Sequence, residues 1–206
     1  MHEWMTVLCP GCPLRGFLYT MEQCKQVPVF GELGCFIHQK ENLLQDLSSS
    51  GRFCLVSADA FLQTGLKSVE ADRNHMIPVI WDNDERKTTG LVEEALDKMG
   101  ISTVLVVDPW DLTAMRNAAE EALQSEMPAA ILLRRPCCRH ADRAQGLCEV
   151  DRFRCLGCKK CLRVACPALG MKNRTSWIDP SLCVGCTLCA QICPVDAILR
   201  KKFVTE

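Results

Sequence analysis

The sequence predicts an α/β fold, a parallel sheet with helices, followed by a small cysteine-rich module. Apolar runs alternate with helical patterns between residues 52 and 136, which is typical of buried parallel strands joined by helices. The last quarter of the chain instead repeats one cysteine pattern. A length of 206 residues fits one core of common domain size with one small module attached.

Four apolar runs predict the strands of the sheet, and each has the length of a buried strand. The runs are Phe53–Val56, Ile77–Trp81, Val104–Val107 and Ala130–Leu133. Between the second and third, apolar residues from Leu91 onward recur at helical spacing, and Gly100 stands where a helix would end. Between the third and fourth, Asp111 can cap a helix with the same spacing. We therefore predict an open parallel sheet with helices between its strands.

The cysteine-rich module contains an internal repeat. Cys155, Cys158 and Cys161 recur 28 residues later, Cys166 recurs 27 residues later, and each half ends in Cys-Pro. Three thiolates at Cx2Cx2C spacing can wrap one loop around an iron-sulfur cubane, while a fourth thiolate arrives from elsewhere in the chain. The repeat therefore predicts a small bacterial-type 2[4Fe-4S] ferredoxin domain.

Ligation in such ferredoxins is crossed, because the fourth cysteine of each run binds the other cluster. One predicted ligand set is Cys155, Cys158, Cys161 and Cys193, and the other is Cys183, Cys186, Cys189 and Cys166. Gly157 and Gly185 give the two loops the backbone freedom that wrapping requires. Zinc is the alternative, since it also accepts four thiolates, often from two separated CxxC pairs. The triplet-plus-one pattern, twice followed by proline, favours cubanes.

Five further motifs precede this module. They are CPGCP at residues 9–13, GELGC at 31–35, WDN at 81–83, VVDP at 106–109 and RRPC at 134–137. Together with the ferredoxin tail, they resemble the thiamine diphosphate half of the indolepyruvate:ferredoxin oxidoreductases, within the wider 2-oxoacid:ferredoxin oxidoreductase family. The resemblance implies a thiamine diphosphate-binding-like fold for the α/β domain.

The resemblance also implies a third [4Fe-4S] cluster. By position its ligands would be Cys9, Cys12, Cys35 and Cys137, with Cys138 as the alternative to Cys137. A different interpretation of the CPGCP motif is a redox-active CxxC pair or simply buried thiols. Of the remaining cysteines, Cys24 and Cys54 lie in apolar patterns and are predicted to be core residues, while Cys148 has no assignment.

Thiamine diphosphate and magnesium are expected to be absent, because the sequence departs from the family pattern where they bind. Members of the family hold magnesium with an Asp at the end of one strand and an Asn at the end of the next, and hard oxygen ligands suit this ion. Here the Asp position falls on Ala58, Asp59 comes one residue late, and Asn83 matches. The glycine-rich segment that would line the cofactor is also reduced to 17 residues between Cys35 and Phe53.

Charge is distributed unevenly along the chain. Residues 1–133 carry 10 basic and 19 acidic side chains, whereas residues 134–206 carry 14 basic and 6 acidic ones. No known reader motif accompanies the basic part, so a nucleic-acid partner is not expected. Thiolate-ligated cubanes are anionic, and nearby Lys and Arg side chains offset that charge. No apolar stretch approaches the roughly 20 residues of a membrane span.

These observations favour an iron-sulfur electron-transfer subunit of a multi-subunit oxidoreductase complex, with ferredoxin as a further candidate partner. The alternative is the thiamine-dependent half of an active aryl 2-oxoacid:ferredoxin oxidoreductase, completed by a partner subunit. A cluster-based sensor or scaffold has less support, since no DNA-binding module is visible. The opening residues lack a signal peptide pattern, so we expect a cytoplasmic location. The predicted domains are residues 1–138 and 151–206, joined by a linker at 139–150.

Overall fold

The computed structural model describes residues 8–26, 29–30, 52–65, 76–83, 88, 90–138 and 146–201. These residues belong to two compact units, Met1–Tyr19 with Cys137–Glu206 and Thr20–Pro136. The units differ from the predicted domains, because residues 8–19 and residues 137 and 138 group with the cysteine-rich module. Among the described residues, no helix is both long and apolar enough to span a bilayer.

The second unit is built on a parallel sheet, as predicted. Its strands are β1 (Val29–Phe30), β2 (Phe53–Ser57), β3 (Ile77–Asp82), β4 (Thr103–Val107) and β5 (Ala129–Arg134). Their order in the sheet is β1-β2-β3-β5-β4, and every neighbouring pair is parallel. β1 was not predicted from the sequence, because a two-residue strand leaves no periodic signal.

The described helices include the two that the apolar spacing predicts, at Leu91–Lys98 and Leu112–Gln124, and two that were not predicted. They are α1 (Leu14–Gln23), α2 (Ala58–Thr64), α3 (Leu91–Lys98) and α4 (Leu112–Gln124). The Asp111 side chain caps α4 by accepting hydrogen bonds from the amides of Thr113 and Ala114. Gly100 follows Met99, the C-cap residue of α3, and its φ of +77° is typical of the residue after a helix C-cap.

The core of the sheet is apolar, with the central strands β2, β3 and β5 almost completely buried. Cys54 is part of this core, as predicted, and burial raises the pKa of its thiol to about 12. β4 is more exposed than a buried parallel strand should be, since it lies at the edge of the sheet and Val106 is 52% exposed. Cys24 is half-buried rather than a core residue, because it follows the end of α1.

The cysteine-rich unit contains two small antiparallel ladders. β6 (Leu147–Val150) pairs with β9 (Ile198–Lys201), and β7 (Leu169–Lys172) pairs with β8 (Thr175–Ile178). β6 lies inside the segment that was predicted to be a linker, so that prediction is wrong for its last four residues. A two-residue turn joins β7 to β8, and both of its residues have positive φ, as type I′ hairpin turns require.

Candidate iron-sulfur sites and the strand-end network

The two Cx2Cx2C loops have positive φ at corresponding positions. Gly157 and Lys159 have φ values of +64° and +62°, and the corresponding Gly185 and Thr187 have values of +70° and +64°. Positive φ is unusual for a lysine and strained for a β-branched threonine. Such strain persists only where the surrounding structure imposes it, and it concentrates at functional sites. The sequence repeat therefore corresponds to a repeated structural unit.

The first group of cysteines, called here the Cys155 site, comprises Cys155, Cys158, Cys161 and Cys193. The main-chain amides of Ser176 and Ala197 donate to the sulfurs of Cys155 and Cys193, at 3.4 and 3.2 Å. The first of these bonds lowers the pKa of the Cys155 thiol. Hydrogen bonds of this kind favour the thiolate, which is the form that binds metal.

Cys161 interacts electrostatically with the other three cysteines of the Cys155 site. Burial raises the pKa of its thiol, the Ser176 hydroxyl at 3.1 Å opposes that effect, and the negative charges of Cys155, Cys158 and Cys193 raise the pKa further. These three interacting cysteines are the other members of the predicted ligand set. Cys158 is exposed to solvent, whereas Cys161 is buried, so one side of the site faces outward.

The second group, called here the Cys183 site, comprises Cys183, Cys186, Cys189 and Cys166. All four cysteines line one cavity, with walls formed mainly by apolar side chains such as Val164, Leu169 and Ile178. Burial raises the pKa of the Cys186 thiol to about 12, and the charges of Cys166 and Cys183 act in the same direction. Several thiols around an apolar cavity suit a cubane, because bonds to the cluster irons would stabilise the buried thiolates.

Cys148, which had no assignment from the sequence, is a fifth cysteine at this cavity. It lies on β6, is 2% exposed, and its main-chain amide donates to the Cys183 sulfur at 3.3 Å. Its position depends on the pairing of β6 with β9, a contact between distant segments that the sequence pattern does not reveal.

The third group, called here the N-terminal site, comprises Cys9, Cys12 and Cys137. Cys9 and Cys12 form a tight turn, in which the Cys12 amide donates to the Cys9 carbonyl at 3.1 Å. A hydrogen bond with Cys137 raises the pKa of the Cys138 thiol, and the charges of Cys12 and Cys9 act in the same direction. The CPGC turn and the Pro-Cys-Cys segment therefore lie close together. The fourth predicted ligand, Cys35, lies outside the described residues.

Arg15 was missed by the sequence reasoning, although it lies beside two of these sites. Its side chain is fully buried, and it lines the cavity of the Cys183 site together with Gly11. Nothing in the sequence pattern distinguishes this arginine from the exposed ones. The described residues contain no group of three or more His, Cys, Asp or Glu side chains arranged to hold a single metal ion.

At the carboxyl end of β2, Ala58 and Asp59 are the two residues relevant to the predicted magnesium position, and they differ in burial. Ser57 caps α2 by accepting a hydrogen bond from the Ala60 amide, so the helix begins immediately after the strand. Ala58 is 2% exposed and has no side-chain oxygen, whereas the Asp59 side chain is exposed. Ala58, where the resemblance implies a metal ligand, therefore has no side-chain oxygen at this point of the sheet.

At the end of β3, the carboxylate of Asp82, the residue before Asn83, forms a buried ion pair. Asp82 is fully buried and accepts hydrogen bonds from the Arg134 guanidinium at 3.1 Å and from the Thr88 hydroxyl. Arg134 also donates to Glu93 at 2.6 Å. Burial acts to raise the pKa of Glu93, but Arg134 outweighs it and lowers the pKa. Asn83 itself is half-buried beside this network.

A second arginine connects the end of β5 to the end of β4. Arg135 donates to Asp108 at 2.5 Å and lies over the Trp110 ring, 4.0 Å from its centroid. Together with Arg134, it joins the WDN, VVDP and RRPC motifs at one edge of the sheet. The three motifs are visible separately in the sequence, but nothing in their spacing predicts that the arginines connect them.

Comparisons with known proteins identify relatives of the chain and one matching domain family. The 4Fe-4S binding domain family matches residues 176–199. Indolepyruvate oxidoreductase subunit IorA from Methanothermobacter marburgensis is 28% identical over 96% of this chain, and the same subunit from Thermococcus kodakarensis is 32% identical over 95%. The match covers 40% of each of these relatives. No solved structure matches the chain.

A shorter similarity covers a small part of the chain. One component of the ion-translocating oxidoreductase complex from Alkalilimnicola ehrlichii is 58% identical over 26 residues, which cover 13% of this chain and 14% of that relative.

The match to the Methanothermobacter subunit is 249 residues long, about 50 more than this chain contributes to it. The chain is thus a relative of indolepyruvate oxidoreductase subunit IorA that spans about two fifths of that subunit's length and carries a 4Fe-4S binding domain.

Proposed function

We propose that the chain is an iron-sulfur electron-transfer subunit of a multi-subunit oxidoreductase complex, and that it holds three [4Fe-4S] clusters. The observation that carries the proposal is the apolar cavity lined by all four cysteines of the Cys183 site. An apolar pocket with converging thiolates binds a cubane and keeps water away from it. The cluster supplies one-electron chemistry, and the protein positions it and sets its potential.

The order of the sites suggests a path for the electron. Cys166 belongs to the first cysteine run in sequence but lines the cavity of the Cys183 site, so crossed ligation would place the two ferredoxin clusters side by side. Cys158 is exposed, which makes the Cys155 site the natural point of exchange with a partner protein. We propose that electrons pass between the N-terminal site and the Cys155 site through the Cys183 site.

We further propose that the α/β unit keeps its fold but binds no thiamine diphosphate. Magnesium requires oxygen ligands, and the buried Ala58 offers none at the end of β2. The carboxylate next to Asn83 is engaged by Arg134 and Thr88, so it would have to give up a buried ion pair to bind a cation. The roughly 50 alignment positions without a counterpart in this chain are consistent with loss of a pocket wall.

The relatives are named as subunits of oxidoreductases, which supports the proposal that this chain has partner subunits. We propose that other subunits of such a complex exchange electrons with this chain, and that ferredoxin is a further candidate partner. The second candidate function is the thiamine-dependent half of an aryl 2-oxoacid:ferredoxin oxidoreductase. The similarity to an indolepyruvate oxidoreductase subunit and the half-buried Asn83 at the end of β3 favour it.

Calorimetry on the anaerobically purified complex distinguishes the two functions. Magnesium and thiamine diphosphate are added to the wild-type complex and to the Asn83→Ala variant. Portions of the same samples are reduced with dithionite, the excess dithionite is removed, and electron transfer to added ferredoxin is measured. We expect no saturable heat from this subunit and equal electron transfer in both samples. A micromolar dissociation constant that disappears in Asn83→Ala would instead establish the thiamine-dependent function.

A further inference from the structure

Arg15 is a buried cation whose hydrogen bonds connect two segments of the cysteine-rich unit. Its side chain is 0% exposed. Its guanidinium donates to the carbonyl of Cys9 at 2.9 Å and to that of Leu8. On its other side it donates to the carbonyls of Val164 at 3.2 Å and Ala165 at 2.5 Å. One arginine fork thus holds the CPGC turn against the segment that leads into Cys166.

The electrostatic surroundings of Arg15 contain cysteines from two different sites. Burial lowers the pKa of the guanidinium, whereas the negative charges of Cys166, Cys12, Cys186 and Cys9 raise it. Two of these cysteines belong to the Cys183 site and two to the N-terminal site. Arg15 also lines the cavity of the Cys183 site. The guanidinium therefore lies between the two groups of predicted ligands.

A charge in this position requires an anionic environment. Arginine stays protonated in proteins, and an isolated charge removed from water is strongly destabilising. Backbone carbonyls accept hydrogen bonds from the guanidinium. Thiolate-ligated clusters on both sides would add negative charge to its surroundings.

We propose that Arg15 is a shared positioning residue for the N-terminal cluster and the cluster of the Cys183 site, and that its charge raises the reduction potentials of both. This inference rests on the proposed function, because it requires both clusters. Each cluster becomes more negative when it accepts an electron, so a nearby buried cation stabilises the reduced form. A cation between two clusters also weakens their mutual repulsion, which helps one to be reduced while the other already is.

Two variants separate the charge of Arg15 from its hydrogen bonds. Arg15→Lys keeps the charge but loses the planar fork, whereas Arg15→Gln loses the charge and keeps polar hydrogen-bonding groups. Arg163→Gln is the matched control, because it removes an exposed cation close to the same segment, where solvent screens the charge. The full chain is purified anaerobically, and each cluster is titrated electrochemically while its reduced form is followed by electron paramagnetic resonance.

We expect Arg15→Gln to disfavour reduction of both adjacent clusters by about tenfold, which corresponds to 59 mV for a one-electron couple. Arg15→Lys should stay near wild type, and the cluster of the Cys155 site should keep its potential in every variant. Failure of clusters to assemble in Arg15→Gln, with normal assembly in Arg15→Lys, would also support the charge role.

Three results would overturn the inference. The first is that the reduction potentials of both clusters are unchanged in Arg15→Gln. The second is that the Lys and Gln variants lose the same clusters equally, which would mean that Arg15 acts only through its hydrogen bonds. The third is a shift in Arg163→Gln as large as that in Arg15→Gln. A wild-type protein without iron would instead contradict the proposed function itself, and that outcome is visible before any variant is made.

Discussion

Gly157→Ala should selectively damage the Cys155 site. Gly157 has a φ of +64°, and a Cβ atom added there would lie well inside the 3.0 Å limit of real Cβ contacts with the main-chain carbonyl oxygen of Arg174. The left-handed conformation costs a non-glycine residue about 1–2 kcal/mol. Overpacking against a rigid group adds roughly 1–3 kcal/mol. The expected total is about 2–5 kcal/mol, concentrated in the loop between Cys155 and Cys158.

Gly100→Ala is the matched control, because Gly100 also has a positive φ but has open space where the Cβ would lie. It should cost only the conformational term of about 1–2 kcal/mol. Iron per chain and cluster spectra are measured for both variants after anaerobic purification. We expect Gly157→Ala to lose about four iron atoms from the Cys155 site, while Gly100→Ala keeps its full iron content. Equal iron loss in the two variants, or full iron in Gly157→Ala, would refute this reasoning.

Two other substitutions test the ligand sets. Cys193→Ser should abolish the signal of the Cys155 site and leave the Cys183 site more intact, because ligation is crossed; selective loss of the Cys183 signal would contradict the crossing. Cys148→Ala removes a thiol that contacts Cys183 and Cys189, but it should leave the iron content unchanged, since the main-chain amide of residue 148 still donates to the Cys183 sulfur. Loss of about four iron atoms in Cys148→Ala would identify the thiol as a ligand.

The features that the sequence predicted best are those with a periodic or spaced signal. The runs at Phe53–Val56 and Ala130–Leu133 became buried strands because all of their residues are apolar, and only a sheet covered on both faces buries such runs. The glycines of the two cysteine loops have positive φ, as the wrapping argument requires. The edge position of β4 was not predictable, because apolar composition does not give the order of strands.

The features that the sequence missed depend on contacts between distant segments. Strand β6 forms only because Leu147–Val150 pairs with β9, about 50 residues later in the chain. Arg15 is exceptional because its partners are carbonyls at Val164 and Ala165, and arginine is a residue type that is usually exposed. Arg134 and Asp82 likewise meet only when β3 and β5 pair.

The most direct test of the central claim is the metal and acid-labile sulfide content of the anaerobically purified protein. Three [4Fe-4S] clusters predict about twelve iron and twelve sulfide per chain, with electron paramagnetic resonance signals from three separate centres after reduction. About eight iron atoms per chain would contradict the N-terminal cluster. Near-stoichiometric zinc with little iron and no sulfide would contradict the whole account.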